Sequence, residues 1–229
     1  MFPESLTSAG FQRLVRRWAI WAVGILTVTA AVWAIAPANR GSLVASPAAL
    51  NEVELDQRLQ QVATSALADA RGTIIVIDPQ TGRVRAVVNP EMAFGESLPP
   101  GSTIKPFTTL AALNTGLLNH ESQTLCREEY SHDDFQTVCA HPRGLSPLNP
   151  TDALAYSCNY YFGKVGEQLD AGAFVSTLSQ YGFGKKTGVN YHNEAYGKLV
   201  HGEWHSQNAI GETDNFYATP IQVLNAYSA

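Results

Sequence analysis

Ser102-Thr103-Ile104-Lys105 is the stretch whose residue types and spacing could do chemistry most directly. A serine hydroxyl is a poor nucleophile unless a neighbouring base takes its proton. A lysine three residues on lies one helical turn away on the same face, which can bring its amine within reach of that hydroxyl. It serves as a base only if burial or nearby cationic charge lowers its pKa. Ile104, Pro106 and Phe107 offer apolar surroundings of that kind. Gly101 allows a sharp turn into a helix. Ser102 then stands at a helix start, whose free amides favour developing negative charge. The pattern S-x-x-K is common by chance, because serine caps helices and lysine populates surfaces. Wider context has to decide.

A second polar group, Ser157-Cys158-Asn159, separates two helical stretches. Its serine and asparagine could cap the helix that begins near Tyr160, or face the first group. Cys126 and Cys139 lie in an irregular segment between the two. A disulfide between them would staple that segment and is the leading expectation. Cys126, His132, Cys139 and His141 could instead hold zinc, although their spacing is not of the usual C-x-x-C kind. Free thiols are the third option. Cys158 reads as an unpaired filler, and His192, His201 and His205 have no ligand spacing. No metal or cofactor is expected.

The elements that must position these groups can be read from pattern. Residues 52–71 have helical spacing, with Leu55, Leu59, Val62, Ala66 and Leu67 on one face and Gly72 as the cap. Residues 73–77 are a β-branched strand apolar on both faces, expected to be buried in a sheet. Turn chemistry over 78–82 and alternation over 83–88 complete a hairpin. Pro99-Pro100-Gly101 breaks the chain before a helix over 104–118. Residues 119–150 read as irregular, with Asp133-Asp134 a solvated pair. Helices follow over 151–156, 160–169 and 171–181, then a glycine- and tyrosine-rich hairpin or loop over 182–202. Thr219-Pro220 opens a last helix that runs to Ala229 without a stop signal.

The 229 residues suit one globular domain and an N-terminal extension, with 45% hydrophobic and 15% charged residues. The net charge of −5 and the lack of a basic tract in the main body exclude nucleic acid as a partner. Arg13, Arg16 and Arg17 precede an uncharged run from Trp18 to Ala36, long enough to span a bilayer as a helix. Tryptophans 18, 21 and 33 lie near its ends, and the arginines stand only on the N-terminal side. A single-pass anchor with the rest exported is therefore expected, in preference to a cleaved signal peptide. The divisions are 1–17 cytoplasmic, 18–36 anchor, 37–71 linker and helix, and 72–229 an exported domain.

Residues 100–108, Pro-Gly-Ser-Thr-Ile-Lys-Pro-Phe-Thr, closely resemble the first motif of penicillin-binding transpeptidases, and Ser157-Cys158-Asn159 resembles their S-x-N motif. The hairpin over 77–86, the segment 181–189, and Ile210-Gly211-Glu212 with Ala218-Thr219-Pro220-Ile221-Gln222 resemble further family segments in the expected order. The resemblance implies an α+β fold: an antiparallel sheet flanked by helices, incomplete at its C-terminal end and preceded by one transmembrane helix. It implies a peptidoglycan D,D-transpeptidase or carboxypeptidase of the bacterial cytoplasmic membrane, its catalytic domain on the extracytoplasmic side. Its partners would be stem peptides, β-lactams, the membrane and envelope-assembly proteins. By the resemblance, Ser102 attacks, Lys105 takes its proton, Ser157 relays a proton to the leaving amine, and Asn159 holds the substrate amide and helps fix Lys105. An inactive scaffold or β-lactam sensor and a class D-like β-lactamase are the alternatives. The family's third motif is K-T-G on a core strand. Lys186-Thr187-Gly188 spells it but matches a different family segment, a G-F-G-x-x-T-G loop. The true third motif is thus expected to lie beyond this sequence, which reads as a fragment.

Overall fold

The computed structural model describes residues 55–229. The expected span over 18–36 and its flanking segments lie outside the described residues. Among the described residues no helix is long and apolar enough to cross a membrane.

Helix α1 (Gln57–Leu67) begins at Asp56, whose carboxylate accepts from the Arg58 and Leu59 amides. Strands β1 (Ile74–Ile77) and β2 (Val84–Val88) pair antiparallel, with a bulge at Val76/Ile77. The Asp78 carboxylate accepts from the Gln80 and Thr81 amides and closes their turn, as the turn chemistry requires. Two expectations fail here. β1 is half-buried along its length, not enclosed. And α1 does not pack through its apolar stripe: Ala63 is the buried residue, while Val62 is 61% exposed. What meets β2 is polar. Gln60 donates to the Val87 carbonyl at 2.8 Å and accepts from the Val87 amide at 2.9 Å. One side chain thus satisfies both backbone groups that a neighbouring strand would otherwise take.

A single π-helical turn (Glu91–Gly95) leads to Pro99 and Pro100, then a 3-10 turn (Gly101–Ile104) that runs directly into helix α2 (Lys105–Asn114). The segment read as irregular contains a second hairpin, β3 (Glu129–His132) and β4 (Phe135–Val138), turning at Asp133-Asp134 with Asp133 at φ +50°. The two hairpins form separate two-stranded sheets. Helices α3 (Pro150–Ala155), α4 (Asn159–Gly166), α5 (Ala171–Gln180) and α6 (Pro220–Tyr227) lie close to their expected ranges. α6 stops at Ser228, and its Thr219–Gln222 capping box carries the start that Thr-Pro signals.

The main core gathers Ile104, Phe107, Tyr130, Phe162, Phe174 and Phe183 with their neighbours, and a smaller one joins Val84, Val87, Phe94 and Ile221. α4 is central to the first. At Gly163 an added Cβ would run into the Tyr130 ring, and at Gly166 into the Ser206 carbonyl of a 3-10 turn (Ser206–Ala209). These glycines let β3 and that turn approach the helix backbone.

Candidate active site

Ser102 and Lys105 sit on the junction between the 3-10 turn and α2. In a 3-10 geometry, side chains at i and i+3 eclipse, so the turn aligns these two more closely than an α-helix would. Neither is an N-terminal cap: those positions are Pro100 and Ile104, and no side-chain cap bond forms at either. Ser102 is exposed and Lys105 is 1% exposed, a reachable hydroxyl beside a desolvated amine.

The turn is held from behind. The Gly101 amide donates to the Gly211 carbonyl at 3.1 Å, and Thr108 donates to the Ala209 carbonyl at 2.8 Å. Gly211 sits at φ +83°, and a Cβ there would collide with the Gly101 carbonyl. From the other side, the Tyr227 hydroxyl of α6 donates to the Thr103 carbonyl at 2.8 Å.

Lys105 Nζ donates three hydrogen bonds: to Asn159 Oδ1 at 2.6 Å, to the Ser157 carbonyl at 2.8 Å and to Ser157 Oγ at 3.1 Å. The two motifs therefore meet through the amine. Ser157 adopts φ +50°, unusual for a non-glycine residue, which turns the chain sharply between α3 and α4. The capping alternative for Ser157 and Asn159 does not hold. Cys158 Sγ caps α4 by accepting from the Tyr161 amide, leaving the flanking polar side chains free for Lys105. Burial lowers the Lys105 pKa from 10.5 to about 8, with Glu212 and the Cys158 and Cys139 sulfurs acting the other way. Glu212 carries no role in the sequence reading; its closeness to Lys105 follows from the Gly211–Gly101 contact.

The expected disulfide is not formed. Cys126 and Cys139 are free thiols with sulfurs 3.6 Å apart, and Cys158 is no filler but joins them, at 3.0 Å from Cys126 and 3.8 Å from Cys139. His141 Nε2 lies 3.3 Å from Cys126 Sγ, while its Nδ1 donates to the Pro142 carbonyl. His132, weighed as a ligand from the sequence, faces Glu167 and Asp133 instead. All four ligand atoms of Cys126, Cys139, His141 and Cys158 lie within 4.8 Å of one another. A tetrahedral zinc with ligands at about 2.3 Å has ligand–ligand edges of about 3.8 Å, so this donor set fits one. The Nδ1 bond fixes the tautomer that offers Nε2, and the Glu128 and Tyr160 amides point at the Cys126 and Cys139 sulfurs. Burial raises the Cys126 and Cys158 thiols, and a bound cation would reverse that by stabilising thiolates.

The Lys186-Thr187-Gly188 triplet is placed elsewhere. Lys186 Nζ lies 5.0 Å over the Tyr196 ring, and Thr187 donates through its amide and hydroxyl to the buried Glu194 carboxylate. Neither residue is available to the Ser102 centre.

The chain is similar to known proteins over about three quarters of its length. The chain is 29% identical over 218 residues to the peptidoglycan D,D-transpeptidase MrdA of Acinetobacter baumannii, covering 76% of this chain and 32% of that protein. MrdA of Salmonella typhimurium is 26% identical, over 76% of this chain and 35% of that protein. The chain thus spans about a third of the length of these relatives. Among solved structures, Pseudomonas aeruginosa PBP2 in complex with WCK 5153 superposes with a TM-score of 0.68 at 25% identity, covering 76% of this chain and 50% of that one. The fold of PBP2 from Helicobacter pylori matches with a TM-score of 0.68 at 23% identity, over 76% of this chain and 41% of that one. A family model for the penicillin-binding protein transpeptidase domain matches residues 72–229, and the chain belongs to that family.

Proposed function

We propose that the protein is a peptidoglycan D,D-transpeptidase that forms an acyl-enzyme on Ser102. The observation that carries this reading is the buried Lys105 amine, held by Ser157 and Asn159 one 3-10 turn from an exposed serine. Neutral Lys105 accepts the Ser102 proton as Oγ bonds to the carbonyl carbon of a D-Ala-D-Ala stem peptide. The oxyanion forms against the Ser102 amide at the start of the turn. The C–N bond then breaks, and Ser157 relays the proton from Lys105 to the departing D-alanine amine. An acceptor amine from a second stem peptide next attacks the ester, its proton returning along the same path, and Ser102 is regenerated. The Ser157 hydroxyl, exposed on one side and 3.1 Å from Lys105 Nζ on the other, suits the relay.

Cys126, Cys139, His141 and Cys158 would hold a structural zinc ion that ties β4 and its flanks to the S-x-N turn. Such an ion supplies a cross-link and takes no part in acyl transfer. Residues 18–36 would anchor the chain in the cytoplasmic membrane, with the catalytic residues on the extracytoplasmic side, where stem peptides, β-lactams and envelope-assembly proteins would meet them. The arginines before that run and the tryptophans at its ends support this placement.

The reading is tested by exchange of the terminal D-alanine of a stem pentapeptide for a labelled D-amino acid. The protein as its gene encodes it should catalyse the exchange, and Ser102→Ala should not. Exchange that persists in that variant would overturn the assignment.

A further inference from the structure

Asn159 gives Lys105 its shortest hydrogen bond, yet nothing in an asparagine side chain decides which end of its amide faces the lysine. The carbonyl oxygen accepts; the amino group can only donate. Reversed, Asn159 would turn N–H groups toward the N–H groups of Lys105 and forfeit the 2.6 Å contact.

The orientation is set from the β3–β4 hairpin. Asn159 Nδ2 donates to Thr137 Oγ1 at 3.0 Å and to the Val138 carbonyl at 2.9 Å. Both N–H groups are thereby directed to β4 and not to a substrate amide, the role that the family resemblance implied for Asn159, and Oδ1 is left facing Lys105. The Val138 carbonyl alone would leave the amide able to pivot about one bond, whereas two acceptors define its plane. Thr137 is itself well placed. It pairs with Tyr130 across the hairpin, and cross-strand partners share a face. Tyr130 is fully buried, packed against Gly163 and edge-on to the Tyr160 ring of α4. The face of β4 that carries Thr137 is therefore held against the helix that begins at Asn159.

We propose that Thr137 is a positioning residue for the acyl-transfer centre, its hydroxyl fixing the Asn159 amide so that the oxygen orients Lys105 toward Ser102. Thr137 does not touch the reacting atoms. The proposal rests on the reading of Ser102 and Lys105 as nucleophile and base.

Saturation kinetics with a fluorescent penicillin on the protein as its gene encodes it separate the acylation rate constant from the apparent dissociation constant. Thr137→Val keeps shape and removes the acceptor. It should slow acylation about tenfold, the loss expected from one hydrogen bond, with the dissociation constant unchanged within about threefold. Thr137→Ser restores the hydroxyl and should recover acylation to within about threefold of the wild type. A Val variant that acylates at the wild-type rate overturns the proposal, and so does a Ser variant as slow as Val, since only side-chain shape would then matter. Should Thr137→Val not fold, Thr137→Ala against Thr137→Ser carries the same comparison. Absence of acylation in the wild type would instead count against the transpeptidase reading, so the two failures are distinguishable.

Discussion

At the residue scale, the proposed acyl transfer to Ser102 turns on one ionisation. With a pKa of about 8, Lys105 is neutral in about a tenth of molecules at pH 7, against fewer than about one in a thousand for a solvated lysine. With the neutral amine as the proposed base, acylation of Ser102 should rise about tenfold per pH unit below 8 and level off above it. Penicillin acylation rates across pH 6–9.5 check this; a flat profile would mean that Lys105 is not the base. Stability has its own sign. The native state binds fewer protons at Lys105 than the unfolded chain between about pH 8 and 10.5, so this group's contribution to stability rises with pH across that window. Replacing Lys105 by Ala should cut acylation by a factor on the order of a thousand, and replacing Ser157 by Ala by roughly a hundred. Much of this was legible in the sequence, because i, i+3 spacing survives in either helix type. The S-x-N serine and asparagine were legible too. Cys158 was not. A single cysteine inside that motif carries no spacing signal, and its partners lie 19 and 32 positions away in the chain.

At the scale of elements, the β3–β4 hairpin was the largest omission. Glu129–His132 buries only Tyr130, so the strand reads as polar. Alternation of Tyr130 and His132 with Phe135 and Thr137 across an Asp-Asp turn was the available signal. α1 misled in the opposite direction: its apolar stripe is plain, but the helix meets β2 through Gln60, a contact that hydrophobic periodicity does not register. Gly163 provides a test of how α4 and the hairpin meet. Helix propensity alone makes Gly163→Ala stabilising by about 1 kcal/mol. The methyl group, however, enters the ring of Tyr130, which is buried on all sides, and overpacking of this kind costs about 1–3 kcal/mol. The clash should win, with a lower melting temperature. A variant as stable as the wild type would show that Tyr130 can yield.

At the scale of the whole molecule, the serine, its lysine and the S-x-N turn sit against the larger core, which takes in Ile104, Phe107 and Cys158, and the thiol cluster lies at the junction of β4 with α4. Fold class and the order of motifs came through in the sequence, because each motif is local. The thiol–imidazole cluster came through in part: the sequence suggests Cys126, Cys139 and His141 as a zinc alternative but with His132 in the place that Cys158 takes, since the full set exists only once the hairpin, the residue 141 loop and α4 are brought together. The purified protein should hold about one zinc ion per chain, and a chelator should lower its melting temperature. Thiol titration after denaturation in a chelator should find all three cysteines. A count of one would restore a disulfide and remove the metal site.

The central claim is that Ser102 becomes covalently acylated with Lys105 as its base. Mass spectrometry after incubation with benzylpenicillin tests it most directly. One penicilloyl adduct per chain, mapped to the peptide containing Ser102 and absent in Ser102→Ala, is the expected result. An adduct on any other residue, or one that persists in Ser102→Ala, would contradict the account.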